Sequence, residues 1–186
     1  MLQLVLVVSV SLLIAVDQWT KWLAIQQLKD NSPFVLIENV LELRYHENTG
    51  IAGGFLEGQR LLIAVVTGVV LVFLFVVLLS GRYRKSKMVN LGGCLVVGGG
   101  IGNLIDRVLH TDGSVVDFIY VKLIDFPIFN FADCCVVIGA ILILIYFFFI
   151  YKEESTPLSQ TAVHGEEHNG TADNADSERG AGGDTP

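Results

Sequence analysis

Four stretches of this chain are apolar over lengths that suit a helix crossing a bilayer, and this limits the fold more than any other feature. They run from about Gln3 to Leu28, Leu61 to Leu79, Met88 to Ile105 and Phe131 to Tyr151. A hydrocarbon core about 30 Å thick takes about 20 residues of helix, and inside it the backbone must satisfy its own polar groups. A hydrophobic share of 52% over 186 residues and a mean hydropathy of +0.59 point the same way. The expected fold is an all-α integral membrane protein with four transmembrane helices. The first run, "MLQLVLVVSVSLLIAV", has no basic stretch ahead of it and no small-residue cleavage site. It therefore reads as a retained span rather than a removable leader.

The loops set an orientation. "GRYRKSK", between the second and third spans, holds Arg82, Arg84, Lys85 and Lys87 without an acid, whereas the other two loops mix both signs. Basic residues gather on the cytoplasmic side, so both termini are expected there, with 29–60 and 106–130 facing outward. From Lys152 onward eight acids meet two bases, and this tail holds most of the net charge of −7. It has too few large apolar residues to offset the entropy of ordering. Residues 1–151 thus read as the membrane domain and 152–186 as a disordered acidic cytoplasmic tail. His164 and His168 in the tail lack a third ligand, and no metal site is expected. Cys94, Cys134 and Cys135 fall inside spans and read as buried apolar fillers. No span holds a histidine that could activate one as a nucleophile.

Charge inside a span costs about 3 kcal/mol on insertion scales, so ionisable groups there are candidates for function. Asp17 and Lys21 are four apart and share a helix face, most simply as a structural ion pair. At 1.5 Å per residue Asp17 lies about 21 Å across the bilayer, flanked by Trp19 and Trp22 as interfacial aromatics would be. The third span ends "GGGIGNLIDRVLH". Gly98 and Gly102, with Gly92, Gly93, Gly99 and Gly100, allow close helix approach. The run lacks the last glycine of a dinucleotide fingerprint and follows no strand. Asn103, Asp106 and Arg107 then emerge at the outer face. "SVVDFIYV" reads as a short strand around Asp117. In "FNFAD", Asn130 is a natural N-cap and Asp133 takes the third helical position, where the helix dipole favours an anion by about 0.3–1 kcal/mol. Capping alone would account for Asp133. It does not account for Asp17, Asp106, Asp117 and Asp133 reaching one level of the membrane together with Lys21 and Arg107.

Two carboxylates a few ångströms apart cannot both ionise easily, so they share a proton and titrate as a unit. Such a pair can activate a water and protonate a leaving amine. Competing chemistries lack their motifs: there is no H-E-x-x-H, no nucleophile-elbow serine and no phosphate-binding loop. Taken in order, "DQWTK" (17–21), "ENTG" (47–50), "GNLIDR" (102–107), "VVDF" (115–118) and "FNFAD" (129–133) resemble the motif series of the lipoprotein signal peptidases, or signal peptidase II. The resemblance covers the chain from the first span to the fourth and leaves out the tail.

That resemblance implies an aspartic endopeptidase of the bacterial inner membrane, with its active site at the outer face. It would cleave prolipoproteins just before the diacylglyceryl-modified cysteine, without a cofactor. The implied partners are the lipid-modified substrate and membrane lipid, with no nucleic acid, and the chain is expected to be a monomer. Asp117 and Asp133 match the catalytic dyad. Asp17, Lys21, Asn48, Gly50, Asn103, Asp106, Arg107 and Asn130 would line or brace the site. A small extracytoplasmic β-cradle is also implied, and "FVLIENVLELRYHEN" has the character to supply it. One departure is "GIAGGFLEG", with Gly53 where the family carries an aromatic and Phe55 two places later. The alternative is a non-enzymatic proton or ion pathway, which would want polar groups at several depths. Spans two and four are nearly free of them. A structural scaffold would leave the outer carboxylates without a purpose.

Overall fold

The computed structural model describes residues 1–50 and 59–151. The altered glycine loop at Gly53 and Phe55, and the acidic tail with His164 and His168, lie outside those residues. Four helices dominate: α1 (Leu2–Leu28), α2 (Arg60–Leu79), α3 (Lys87–Leu109) and α4 (Phe131–Ile145), the last continued by a π-helical turn at Tyr146–Ile150. All four are long and apolar enough to cross a membrane.

The third helix is the hub, packing against α1, α2 and α4. Its glycines explain how. Gly98 lies against Leu13 and Gly102 against Asp17, so a pair of small residues four apart on α3 receives a pair four apart on α1. Gly93 and Gly100 take Leu78 and Leu71 of α2. On the α4 side, a Cβ at Gly92 would stand 2.8 Å from the Gly139 carbonyl oxygen, and one at Gly139 would stand 2.6 Å from that of Gly92. The two backbones therefore touch with no side chain between them, as helices in lipid do when small residues meet. Val97, fully buried, sits in a core cluster with Leu6, Val10, Leu78 and Cys94. Val65, Val69, Val72, Phe73 and Val76 of α2 are all more than half exposed, as a lipid-facing side would be.

Three strands form one antiparallel sheet in the order β1 (Phe34–Ile37), β2 (Leu41–Asn48) and β3 (Val115–Val121). Both sequence stretches expected to be extended are so, with Asn39 at φ 59° in the turn between β1 and β2. The sheet rests on the end of α1, where Ala24 and Leu28 pack against Val116 and Phe118. The register pairs Asn48 with Val115 and His46 with Asp117, which holds β2 alongside the aspartate.

One boundary differs from expectation. The third helix runs to Leu109 instead of stopping near Ile105, so Asn103, Asp106 and Arg107 ride on its last turns. Asp106 and Arg107 are both buried and find their partners inside the protein, and the helix has no need to break to bring them to water.

Candidate active site

Asn130 organises the site. As N-cap of α4 its Oδ1 accepts from the Asp133 backbone N–H (3.0 Å), while Asp133 Oδ2 accepts from the Asn130 N–H (3.1 Å), the reciprocal box that the sequence pattern leads one to expect. Capping uses only the oxygen of the amide. Its Nδ2 is left to donate, and it does so to Asp117 Oδ1 (2.6 Å), Asn103 Oδ1 (3.0 Å) and the Val116 carbonyl (3.3 Å). One fully buried side chain thus joins the strand aspartate to the helix aspartate.

Each carboxylate has a second amide donor. Asn48 Nδ2 donates to Asp117 Oδ2 at 2.9 Å, and the Asn48 oxygen is fixed by the Gly50 N–H at 3.1 Å. Asn103 Nδ2 donates to Asp133 Oδ1 at 2.8 Å. The surroundings differ more than the donors. Asp117 is 1% exposed, whereas Asp133 is only partly buried. Burial pushes the Asp117 carboxyl up to about 7, with the Asp133 charge adding to the rise and the Asn48 and Asn130 donors opposing it. Arg107, also buried, spends its guanidinium on the carbonyls of Gly50 (2.5 Å) and Gly113 (3.2 Å), tying the residues that follow β2 to the turn before β3.

Asn48, Gly50, Asn103, Arg107, Asp117 and Asp133 form the polar end of a cavity of about 830 Å³. Its remaining wall is largely apolar: Val66, Val70 and Leu74 from α2, Val137 and Ile138 from α4, and Phe126 to Phe129 from the loop before α4. Cys134 lines it too, while Cys94 and Cys135 are buried as filler. Among the described residues no group of histidine, cysteine and acidic side chains is arranged to hold a metal. The chemistry on offer is that of two unlike carboxylates beside an apolar cleft.

Asp17, Lys21 and Asp106 do not reach the cavity. They form a buried set behind it: Lys21 Nζ lies 2.8 Å from Asp17 Oδ2, 3.0 Å from Asp106 Oδ2 and 2.9 Å from Asn103 Oδ1. The four acids at one level therefore divide into a pair facing the cavity and a pair held by a lysine. Gln18 joins the second set, donating to Asp106 Oδ1 (2.9 Å), the Gly102 carbonyl (3.2 Å) and Asp17 Oδ2 (3.3 Å). Sequence reasoning passed over it because an amide beside a charged residue looks ordinary. Its place one residue after an intramembrane aspartate was the available signal.

The model of a known family, signal peptidase (SPase) II, matches residues 9–149. A lipoprotein signal peptidase of Geobacillus thermodenitrificans is 42% identical over 132 residues, 69% of this chain and 80% of the relative. One of Halothermothrix orenii is 40% identical over 135 residues, 73% and 89% of the two chains. Among solved structures, a bacterial membrane enzyme determined in meso at 2.3 Å superposes with a TM-score of 0.72 at 32% identity, covering 83% of this chain and 92% of the other. A second, at 1.9 Å, gives 0.69 at 32% identity, with 78% and 94% covered.

Proposed function

The chain belongs to the signal peptidase II family, membrane proteases that remove signal peptides from prolipoproteins, and from that premise we propose an aspartic mechanism centred on Asp117 and Asp133. The observation that carries it is Asn130, which joins both carboxylates at the polar end of an apolar cleft. Asp117, the more buried, starts with the proton that the pair shares, and Asp133 acts first as the base. A water between them attacks the scissile carbonyl while Asp133 takes its proton and Asp117 gives its own to the carbonyl oxygen. Collapse of the tetrahedral intermediate breaks the C–N bond. Asp133 hands its proton to the leaving amine and Asp117 recovers one from the hydroxyl, so the dyad ends as it began, with a single proton.

The cut falls just before the diacylglyceryl-modified cysteine. The signal helix and lipid of the substrate remain apolar throughout, and the cleft between α2 and α4 suits them, with the bond at its polar mouth. Asn48, Asn103 and Asn130 keep the carboxylates oriented, and Gly50 and Arg107 fix the edge of the mouth. The positive-inside bias supports cytoplasmic termini in the inner membrane and an extracytoplasmic sheet. The same reading makes the chain a monomer that needs only substrate and lipid, with the catalytic unit at 1–151 and the tail at 152–186 outside it. A proton pathway is disfavoured because Leu61–Leu79 holds no charged residue and α4 holds only Asp133.

Replacing Asp117 or Asp133 singly by Asn should abolish cleavage of a lipidated prolipoprotein while leaving the protein folded in detergent. Near wild-type processing by either variant would sink the dyad. A substrate without the diacylglyceryl group should go uncut.

A further inference from the structure

Lys21 stands outside the cavity, yet every contact it makes leads to the dyad. Its ammonium has three donors, and three acceptors take them: Asp17 Oδ2, Asp106 Oδ2 and Asn103 Oδ1. Asp17 Oδ1 accepts from the backbone N–H of Ala132 at 3.1 Å, and Ala132 immediately precedes Asp133. Asp106 Oδ2 accepts from the backbone N–H of Val116 at 3.2 Å, and Val116 immediately precedes Asp117. Asn103 then donates to Asp133 itself. One cation therefore draws together two carboxylates, each gripping the peptide group one step before a dyad aspartate. All three charged side chains are at most 5% exposed, so water does little to loosen the set.

We infer that Lys21 is a positioning residue that sets the separation of Asp117 and Asp133, acting through Asp17 on α4, through Asp106 on β3 and through the fixed amide of Asn103. The two aspartates come from different elements, and while Asn130 links their side chains, the Lys21 set acts on the backbones that carry them. A shared ammonium can fix the distance between those backbones, because a shift of either carboxylate costs contact with the same charge. Lys21 touches no substrate in this arrangement, and its effect belongs to the chemical step and not to binding. The inference rests on the aspartic dyad proposed above.

The test compares wild type, Lys21→Met and Lys21→Arg in detergent, measuring kcat and KM on a lipidated prolipoprotein fragment alongside thermal unfolding. The expected result is a fall in kcat of about 100-fold for Lys21→Met, the scale of a 1 Å misplacement, with KM within about threefold of wild type. Lys21→Arg keeps the charge with a wider fork and should recover about tenfold of that loss. Should Lys21→Met not fold, Lys21→Arg decides: reduced kcat at unchanged KM upholds the inference. Folded variants with wild-type kcat, or a rise in KM alone, overturn it. Asp117→Asn and Asp133→Asn run beside them as the control on the dyad. If either of those cleaves normally, the dyad reading has failed; if both are inactive and the folded Lys21 variants turn over normally, only the positioning role has.

Discussion

An asparagine that caps a helix has one amide nitrogen to spare, and in this protein that nitrogen reaches the Asp117 carboxylate while the cap itself holds Asp133. The carboxylates are made unlike by depth, Asp117 being buried and Asp133 partly open. Burial and the Asp133 charge hold the Asp117 carboxyl at about 7, so in the proposed dyad the Asp117 proton is lost as pH rises through that value. Cleavage should therefore fall as pH rises through about 7, read as kcat against pH. Removing the Asn48 donor withdraws a contact that favours the Asp117 anion. In Asn48→Ala the alkaline limb should move to higher pH, and a limb that stayed or moved down would contradict the assignment of Asp117 as the proton holder. At this scale the sequence was legible wherever charge entered an apolar run: Asp17, Lys21 and Asp133 all stand out against hydrocarbon. It was illegible for Gln18, which carries no charge and whose role depends on two acceptors brought from α3 beside its neighbour Asp17.

The third helix is where side-chain volume decides the architecture. Gly139→Ala would press a methyl into the Gly92 carbonyl oxygen at 2.6 Å and Leu95 Cβ at 2.9 Å, both of them backbone or near it. It should lower stability by about 1–3 kcal/mol, seen as a reduced unfolding midpoint in detergent. Gly68→Ala on α2 is the contrast: its Cβ would meet only Leu104 Cδ2, at an ordinary 3.8 Å. That variant should be neutral or more stable, by up to about 1 kcal/mol from helix propensity. The spans, the three strands and the cap of α4 could all be foreseen, since each rests on local pattern. The end of α3 could not, because a helix that carries Asp106 and Arg107 reads as leaving the membrane unless their buried partners are known.

For the molecule as a whole, the proposed orientation gives a test of its own. In right-side-out spheroplasts, with Cys94, Cys134 and Cys135 replaced by alanine, a membrane-impermeant thiol reagent should label Asp125→Cys beside the sheet. It should label Lys85→Cys, in the turn between α2 and α3, only after the cells are broken. The reverse pattern would invert the topology. The cavity leads to one more consequence. Val66 and Val70 on one wall and Val137 and Ile138 on the other are each about half exposed while lining it, so the cleft opens sideways between helices that both lean on α3. If the proposed substrate enters from the side, it would be met as a two-dimensional solute, at a mole fraction among lipids and not at a bulk molarity. Adding inert detergent to fixed amounts of enzyme and substrate should then slow turnover as the added surface grows, whereas a rate unchanged by the detergent would count against lateral entry. On that expectation the apparent affinity would depend on the membrane's composition as much as on the protein.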